Sequence, residues 1–159
     1  MNTQLNVDWK QDRIGTAHRG ENPMVLAKTR SGFAVLGDTQ FMPGYCVLLP
    51  YKNINALNEL DFKERSEYLL DMSLIGDAIQ EVCCPRRINY SIYGNSDAFL
   101  HAHIFPRYEW EPEERRNRPV WQYPKEMWSE EKYQYVFEKH GEMKAKIAEK
   151  LHEYINKAY

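Results

Sequence analysis

Cysteine is scarce in this sequence and is poorly placed for cross-links or metal. The three cysteines are Cys46, Cys83 and Cys84, an odd number that includes an adjacent pair, and this pattern does not fit a disulfide framework. The Cys-x-x-Cys spacing of structural zinc sites is absent as well. These absences favour a reducing compartment, and we expect a cytoplasmic protein.

Long hydrophobic runs and an excess of positive charge are also missing. No stretch approaches the roughly 18 apolar residues of a membrane span. The sequence also lacks the basic start followed by an apolar run that would indicate a signal peptide. Lysine and arginine number 21 against 23 acidic residues, which gives a formal net charge of -2. We therefore expect no membrane or nucleic-acid partner, although small acidic ligands need only a few local cations.

The 159 residues that are present suit one domain, because 43% of them are hydrophobic and domains of this length bury a sizeable core. Repeats, low-complexity tracts and a second-domain linker are absent. We predict a single domain over residues 1–159, with a C-terminal loop and helix over 109–159. Residues 1–23 are polar and mixed, and we expect them to be loosely structured.

Short apolar runs predict five strands in the first two thirds of the chain. Two runs flank Ser31-Gly32 and indicate a hairpin, and a turn at Pro43-Gly44 precedes a strand over Tyr45–Leu49. Two more strands are expected over Ile88–Gly94 and Phe99–Phe105, joined by a small polar loop.

Two long helices are predicted. Asp61 is the expected N-cap of the first, with Glu64 completing a capping box, and Pro85 ends it. Its apolar stripe recurs at helical spacing: Leu69, Met72, Ile75, Ile79 and Val82. The last helix is expected to start at Ser129, with this buried face: Tyr133, Val136, His140, Met143, Ile147 and Leu151.

Residues 109–128, between the last predicted strand and the last predicted helix, are rich in charged residues, aromatics and proline. Residues 109–118 are expected to form a solvated loop. Pro119 and Pro124 argue against helix in the following stretch, so Pro119–Trp128 is expected to be an ordered loop.

Two histidines mark the stretch FLHAHIFPRY at residues 99–108. Successive side chains of a strand point to opposite faces of a sheet. One face then carries three apolar residues that suit a core: Leu100, Ala102 and Ile104. The other face carries two histidines between two phenylalanines: Phe99, His101, His103 and Phe105. The alternation predicts that both histidines point away from the main core.

The residues alone leave three interpretations of this pair open. An isolated His-x-His is often only structural. A zinc site needs at least three ligands; Asp97 is the only carboxylate nearby, and His18, His140 and His152 lack ligand-like spacing. A neutral imidazole, available near pH 7, can instead attack phosphorus and form a covalent intermediate. Backbone N–H groups of the Gly-Asn-Ser turn at residues 94–96 are suitable phosphate donors.

The stretch NYSIYGNSDAFLHAHIFPRY, residues 89–108, resembles the signature of the histidine triad (HIT) superfamily of nucleotide hydrolases and transferases. A second block, AVLGDTQFMPGYCVLLP at residues 34–50, is similar to the strand-turn-strand of the same family, and the resemblance covers roughly residues 32–108. The flanking Gly-Asn and Pro-Arg-Tyr place the three triad positions at Phe99, His101 and His103. The resemblance implies an α+β fold: an antiparallel sheet of about five strands, a long helix across one face and a C-terminal helix.

The resemblance also implies site roles. His101 matches the nucleophile and His103 the third histidine, while the phosphate-binding residues would be Gly94, Asn95, Ser96 and Arg107. Arg107 has an alternative role, an ion pair with a carboxylate such as Glu109. The nucleoside side would comprise Gly37, Asp38, Tyr45 and Phe99. Trp121 or Tyr123 is expected to border the nucleotide pocket, unless this segment only packs.

Three departures from the family pattern stand out. Phe99 replaces the first triad histidine, Tyr45 replaces the histidine of a Pro-Gly-His step, and Gly37 stands where Asp or Asn often grips the ribose, with Asp38 adjacent. The resemblance implies a homodimeric hydrolase of diadenosine polyphosphates or related nucleotides, with no cofactor of its own and Mg²⁺ arriving only with the nucleotide. The departures at Phe99 and Tyr45 motivate one rival, a nucleotide-binding sensor with little catalysis. A further rival is a metal-binding module that uses His101 and His103.

Overall fold

The computed structural model describes residues 8–159, and the first seven residues of the predicted loose start lie outside that range. The prediction is wrong for residues 8–23. A 3₁₀ turn at Trp9–Gln11 leads into helix α1, Arg13–His18. The Asp12 carboxylate caps α1 by accepting a hydrogen bond from the Gly15 N–H at 2.9 Å, which satisfies one of the free donors at a helix start.

Five antiparallel strands form one sheet, as predicted. They are β1 (Val25–Lys28), β2 (Gly32–Leu36), β3 (Cys46–Pro50), β4 (Arg87–Ile92) and β5 (Ala102–Arg107), in the spatial order β1-β2-β3-β5-β4. The hairpin at Ser31-Gly32 is confirmed, because β1 and β2 pair on either side of it. β5 begins at Ala102 rather than Phe99, so the loop before it is longer than predicted.

The long helix α2, Phe62–Cys83, lies across one face of this sheet. Its capping box is confirmed, since Asp61 accepts from the Glu64 N–H at 2.8 Å and Glu64 reaches back to the Asp61 N–H. Ile75 and Ile79 are fully buried in its stripe, whereas Leu69 is 39% exposed and lies outside it.

Helix α5, Phe137–Ala158, starts eight residues later than the sequence predicts. The backbone before it is held elsewhere: the Gln40 N–H donates to the Tyr133 carbonyl and the Tyr135 N–H donates to the Asp38 carbonyl, both at 2.7 Å. These bonds keep residues 133–135 out of the helix. Val136 is therefore an exposed cap residue, while the buried face retains His140, Ile147 and Leu151.

Residues 109–128, which we call the proline-rich segment, contain short helices where the sequence predicts loops. They are α3 (Glu113–Arg116), a 3₁₀ turn at Val120–Gln122 and α4 (Glu126–Ser129). Pro112 and Pro119 directly precede the first two, where a missing N–H costs nothing. The prolines therefore start short helices here instead of preventing them, and residues 109–118 are not a fully solvated loop because Glu111 is buried.

The interior has two apolar clusters, one on each side of the sheet. The larger one lies between the sheet, α2 and α5. The smaller one lies under the proline-rich segment and contains seven buried residues: Phe41, Met42, Tyr45, Phe105, Tyr108, Val120 and Tyr123. Among residues 8–159, no helix combines the length and apolar composition needed to cross a membrane.

Asp71 of α2 is a fully buried carboxylate that joins three parts of the chain. It accepts hydrogen bonds from the Ser31 N–H at 2.8 Å, the Ser31 hydroxyl at 2.5 Å and the Tyr159 hydroxyl at 2.6 Å. The Arg30 guanidinium lies over the Tyr159 ring, 3.8 Å from its centre. The hairpin turn, α2 and the end of α5 are thereby held together.

We expect Asp71→Ala to lower the free energy of unfolding by about 2–4 kcal/mol, because it leaves buried donors without an acceptor. Asp77→Ala, at an exposed position of the same helix, is the matched control and should change stability by less than about 0.5 kcal/mol. Urea denaturation of both variants at one protein concentration measures the difference. Equal stability of the two variants would contradict the assigned role.

Candidate active site

The strand pairing places the two histidines on the sheet face opposite α2. His103 lies in β5 between Val47 of β3 and Ser91 of β4. The predicted alternation is confirmed on the core side, where Leu100, Ala102 and Ile104 are all buried in the larger cluster. It extends through residues 99–101 although these precede the strand, so Phe99, His101 and His103 share a half-buried face.

His101 has its tautomer fixed by the backbone. Its Nδ1 lies 2.8 Å from the Phe99 carbonyl oxygen, and a carbonyl can only accept a hydrogen bond. Nδ1 must therefore carry a proton, and in the neutral ring the lone pair is on Nε2. The Phe99 ring lies beside it, with ring centres 4.7 Å apart. Such an imidazole has the nucleophilic nitrogen that attack on phosphorus requires.

His103 has the complementary arrangement through Tyr45. The Tyr45 hydroxyl lies 2.6 Å from His103 Nδ1 and has no other hydrogen-bond partner in the described part of the chain. Burial together with the Asp38 charge raises the pKa of this phenol, so it keeps its proton. We assign it as the donor because an imidazole nitrogen is a stronger acceptor than a phenol oxygen. Burial and the neighbouring His101 lower the pKa of His103 to about 4. His103 is therefore neutral near pH 7, accepts at Nδ1 and carries its proton on Nε2.

The two rings thus offer a lone pair and an N–H donor side by side. Their centres are 4.8 Å apart and their planes meet at 75°. A nucleophile beside a neutral hydrogen-bond donor suits a reaction in which negative charge develops on the attacked group.

Tyr45 occupies its place because Gly37 has no side chain. A Cβ on Gly37 would lie 2.2 Å from the Tyr45 ring, far inside van der Waals contact. The phenol ring is stacked on Phe105 with ring centres 3.7 Å apart and an interplanar angle of 6°. This packing directs the hydroxyl to His103.

A cavity of about 250 Å³ lies in front of the histidines, and we call it the histidine pocket. It brings together both histidines and all four residues predicted for the nucleoside side: Gly37, Asp38, Tyr45 and Phe99. The pocket also has lining residues that were not predicted from the sequence, among them Val47, Leu49, Asp97, Trp128 and Arg13. Arg13 clamps Asp38 with two hydrogen bonds of 3.1 and 2.7 Å.

The residues predicted to bind phosphate are not gathered in this pocket. Gly94 adopts a left-handed turn with φ +75°, and Asn95 and Ser96 are exposed. None of the three lines the histidine pocket, whereas the following residue, Asp97, does. They lie in the loop that leads to His101.

The phosphate-binding prediction for Arg107 is wrong, and its predicted alternative partner Glu109 is also wrong. The guanidinium is buried and pairs with Glu111 at 2.7 Å. All five of its N–H donors are used, because it also bonds Asn89 and the carbonyls of Arg115 and Arg118. No donor is left for a ligand.

Of the two aromatic candidates from the proline-rich segment, Trp121 contacts a histidine. Its ring centre lies 4.8 Å from that of His103, with planes at 80°, and it also packs edge-on against Phe105. Tyr123 is buried and donates to Glu111 at 2.8 Å, so it is a packing residue. Within residues 8–159, no group of three or more His, Cys, Asp or Glu side chains is placed to hold a metal ion.

Comparisons with known proteins give relatives by sequence and by structure. No protein-family model matches the chain. A 94-residue stretch is 26% identical to the AP-4-A phosphorylase of Mycobacterium tuberculosis and covers 55% of this chain and 48% of that protein. The chain therefore spans about half the length of the curated relatives it matches.

Solved structures share the fold. A histidine triad protein from Marinobacter aquaeolei superposes with a TM-score of 0.69 at 23% identity, over 82% of this chain and 89% of that one. The diadenosine triphosphate hydrolase of Plasmodium falciparum superposes with a TM-score of 0.56 at 16% identity, over 82% and 77%. The predicted resemblance to histidine triad proteins is thereby confirmed for the fold.

The tautomers can be measured directly by ¹⁵N NMR of the imidazoles. We expect His101 to be an Nδ1–H ring and His103 an Nε2–H ring that stays neutral down to a pKa of about 4. Because the unfolded chain takes up this proton below about pH 6.5, His103 should reduce stability as pH falls from there to about 4.

Tyr45→Phe is the diagnostic variant, because it removes only the hydroxyl that donates to Nδ1. The His103 tautomers should then mix, while the His101 signals stay in place. An unchanged His103 spectrum in Tyr45→Phe, or a wild-type His103 that is protonated at pH 6, contradicts the assignment.

Proposed function

We propose that this chain, on the premise of its histidine triad fold, is a nucleotide hydrolase that cleaves at an α-phosphate through a nucleotidyl-histidine intermediate. The observation that carries the proposal is the fixed pair of tautomers, with a lone pair on His101 Nε2 and a proton on His103 Nε2. Preorganised groups of this kind need no rearrangement when the reaction occurs.

The proposed reaction has two steps. In the first, His101 Nε2 attacks the α-phosphorus, a P–N bond forms, and the P–O bond to the rest of the substrate breaks. The displaced nucleotide leaves with the bonding electron pair. In the second, water attacks the same phosphorus, the P–N bond breaks, and the electron pair returns to Nε2, while the water proton passes to solvent. His103 Nε2–H donates to a non-bridging oxygen in both steps.

The remaining parts of the site have proposed roles consistent with their positions. Apolar side chains of β3 and the Phe99 ring would contact the nucleoside in the histidine pocket, and Asp38, oriented by Arg13, would accept from the ribose hydroxyls. Gly94, Asn95 and Ser96 would meet the phosphate at the pocket entrance. We propose that the protein holds no metal of its own and that Mg²⁺ enters with the nucleotide.

Diadenosine polyphosphates are the favoured substrates, with nucleoside phosphoramidates second. The AP-4-A phosphorylase match and the diadenosine triphosphate hydrolase fold support this choice of class. The phosphorylase match also suggests a second candidate activity, in which inorganic phosphate replaces water in the second step and the product is ADP instead of AMP.

The two departures from the family pattern beside the histidines, Phe99 and Tyr45, favour catalysis over a binding-only role. Phe99 supplies its carbonyl to His101, and a backbone group is independent of the side chain at that position. Tyr45 donates a hydrogen bond to His103 in place of an imidazole. Both histidines therefore keep the partners that set their tautomers.

The test is turnover of diadenosine tetraphosphate, with and without inorganic phosphate and with and without chelator. We expect ATP and AMP as products, and His101→Asn should reduce the rate by about 10³-fold or more because the nucleophile is lost. His152→Asn, at an exposed position of α5, is the matched control and should retain full activity. Binding without turnover in the wild type would support the sensor instead, and ADP formed only with added phosphate would support phosphorolysis.

We also propose a cytoplasmic homodimer that pairs through β4. This strand forms one edge of the sheet, and its outer side has no partner strand in the described part of the chain. The opposite edge is poorly suited, because β1 is only four residues long and carries an irregularity between Val25 and Ala27, features that discourage edge pairing.

We expect sedimentation equilibrium to give twice the 18.9 kDa chain mass at micromolar concentration. Tyr90→Lys adds a charge at an exposed position of β4 and should shift the mass toward the monomer. A monomeric wild type, or a dimer that Tyr90→Lys leaves intact while circular dichroism shows native helix content, would exclude this mode of assembly.

A further inference from the structure

A second and larger cavity, of about 690 Å³, lies beside the histidine pocket on the same face of the sheet. Its floor is formed by side chains of β4, where Ser91 is paired with His103 and Asn89 with Phe105. Its wall is the chain from Arg116 to Trp121. We call this cavity the arginine groove.

Positive charge is concentrated in the arginine groove. Five arginines line it and no carboxylate does: Arg86, Arg87, Arg107, Arg116 and Arg118. The chain as a whole has a net charge of -2, so this concentration is local. Such a lining attracts anions and raises their local concentration.

Unlike Arg107, the other four arginines have N–H groups that can bind a ligand. Arg86 and Arg116 share one exposed carboxylate, Glu109, at 3.3 Å each. Arg87 and Arg118 are exposed, and neither forms an ion pair with a carboxylate of residues 8–159. Guanidinium groups bind phosphate oxygens through paired N–H donors.

Two aromatic rings stand between this charge and the catalytic histidines. Tyr93 and Trp121 are 56% and 36% exposed, and their ring centres lie 5.5 Å apart in an edge-to-face arrangement. Trp121 also contacts His103. An exposed ring offers a stacking surface for a base of any identity.

The histidine pocket is too small for a whole dinucleoside polyphosphate. Its volume of about 250 Å³ lies below the roughly 300–1,000 Å³ of pockets that enclose drug-sized ligands. A substrate with two nucleosides must therefore extend beyond it. The adjacent surface with matching charge and stacking groups is the arginine groove.

We propose that the arginine groove binds the portion of a dinucleoside polyphosphate that His101 displaces, with its phosphate chain passing the rings of Tyr93 and Trp121 and reaching Arg87 and Arg118. The inference rests on the proposed hydrolase function and adds to it the recognition of a large anionic leaving group. Substrates with a long phosphate chain then gain binding that a small leaving group cannot obtain.

The first test compares two substrates in Arg87→Gln/Arg118→Gln. Diadenosine tetraphosphate fills the groove, whereas adenosine 5′-phosphoramidate releases only ammonia. We expect the ratio of their kcat/KM values, tetraphosphate over phosphoramidate, to fall about tenfold through a higher KM for the tetraphosphate. Arg19→Gln/Lys63→Gln, which removes two exposed charges elsewhere, should keep the wild-type ratio. An unchanged ratio in the groove variant overturns the proposal.

The second test measures binding without catalysis, by calorimetric titration with inorganic tripolyphosphate. Binding should be present in the wild type and the control variant, weaken as salt is raised, and be lost in the groove variant. Equal binding by all three proteins overturns the groove while leaving hydrolysis intact. If the wild type cleaves neither substrate, the hydrolase function is overturned. The leaving-group role of the groove is then overturned as well, even if tripolyphosphate binds there.

Discussion

The buried pair of Arg107 and Glu111 is the interaction on which the site depends. A buried ion pair is favourable only when its remaining donors and acceptors are also satisfied, and here the carboxylate takes the Tyr108 N–H and the Tyr123 hydroxyl in addition to the guanidinium. Through the carbonyls of Arg115 and Arg118, the end of β5 anchors the first half of the proline-rich segment. The chain that continues from this anchor forms the wall of the arginine groove and carries Trp121.

The chemistry and the charge of this site are carried by different residues. The tautomer of His101 is set by a backbone carbonyl and that of His103 by a phenol. The low pKa of His103 keeps that ring uncharged. In the proposed reaction, an anionic substrate would be attracted by groups outside the histidine pair. The proposed groups are the exposed arginines of the neighbouring strand and of the segment above it, Arg87 and Arg118.

Local patterns in the sequence predicted those parts of the fold that local forces decide. The capping box at Asp61 and the alternation around His101 follow from contacts within a few residues, and both are present. The wrong predictions concern residues whose hydrogen-bond partners are distant in the sequence. Backbone bonds from Asp38 and Gln40 delay the last helix, Glu111 takes Arg107 from its predicted roles, and Arg13 reaches the site only because α1 packs near Asp38. Nothing near these residues in the sequence signals such partners.

The close approach of Gly37 and Tyr45 couples these two positions. A Cβ on Gly37 would collide with the Tyr45 ring, and residues in direct contact have non-additive effects when substituted. An aspartate at position 37 is compatible with this backbone only if the tyrosine is replaced as well, and that replacement removes the donor to His103. A redesign of the nucleoside side of the pocket must therefore treat positions 37 and 45 as one unit.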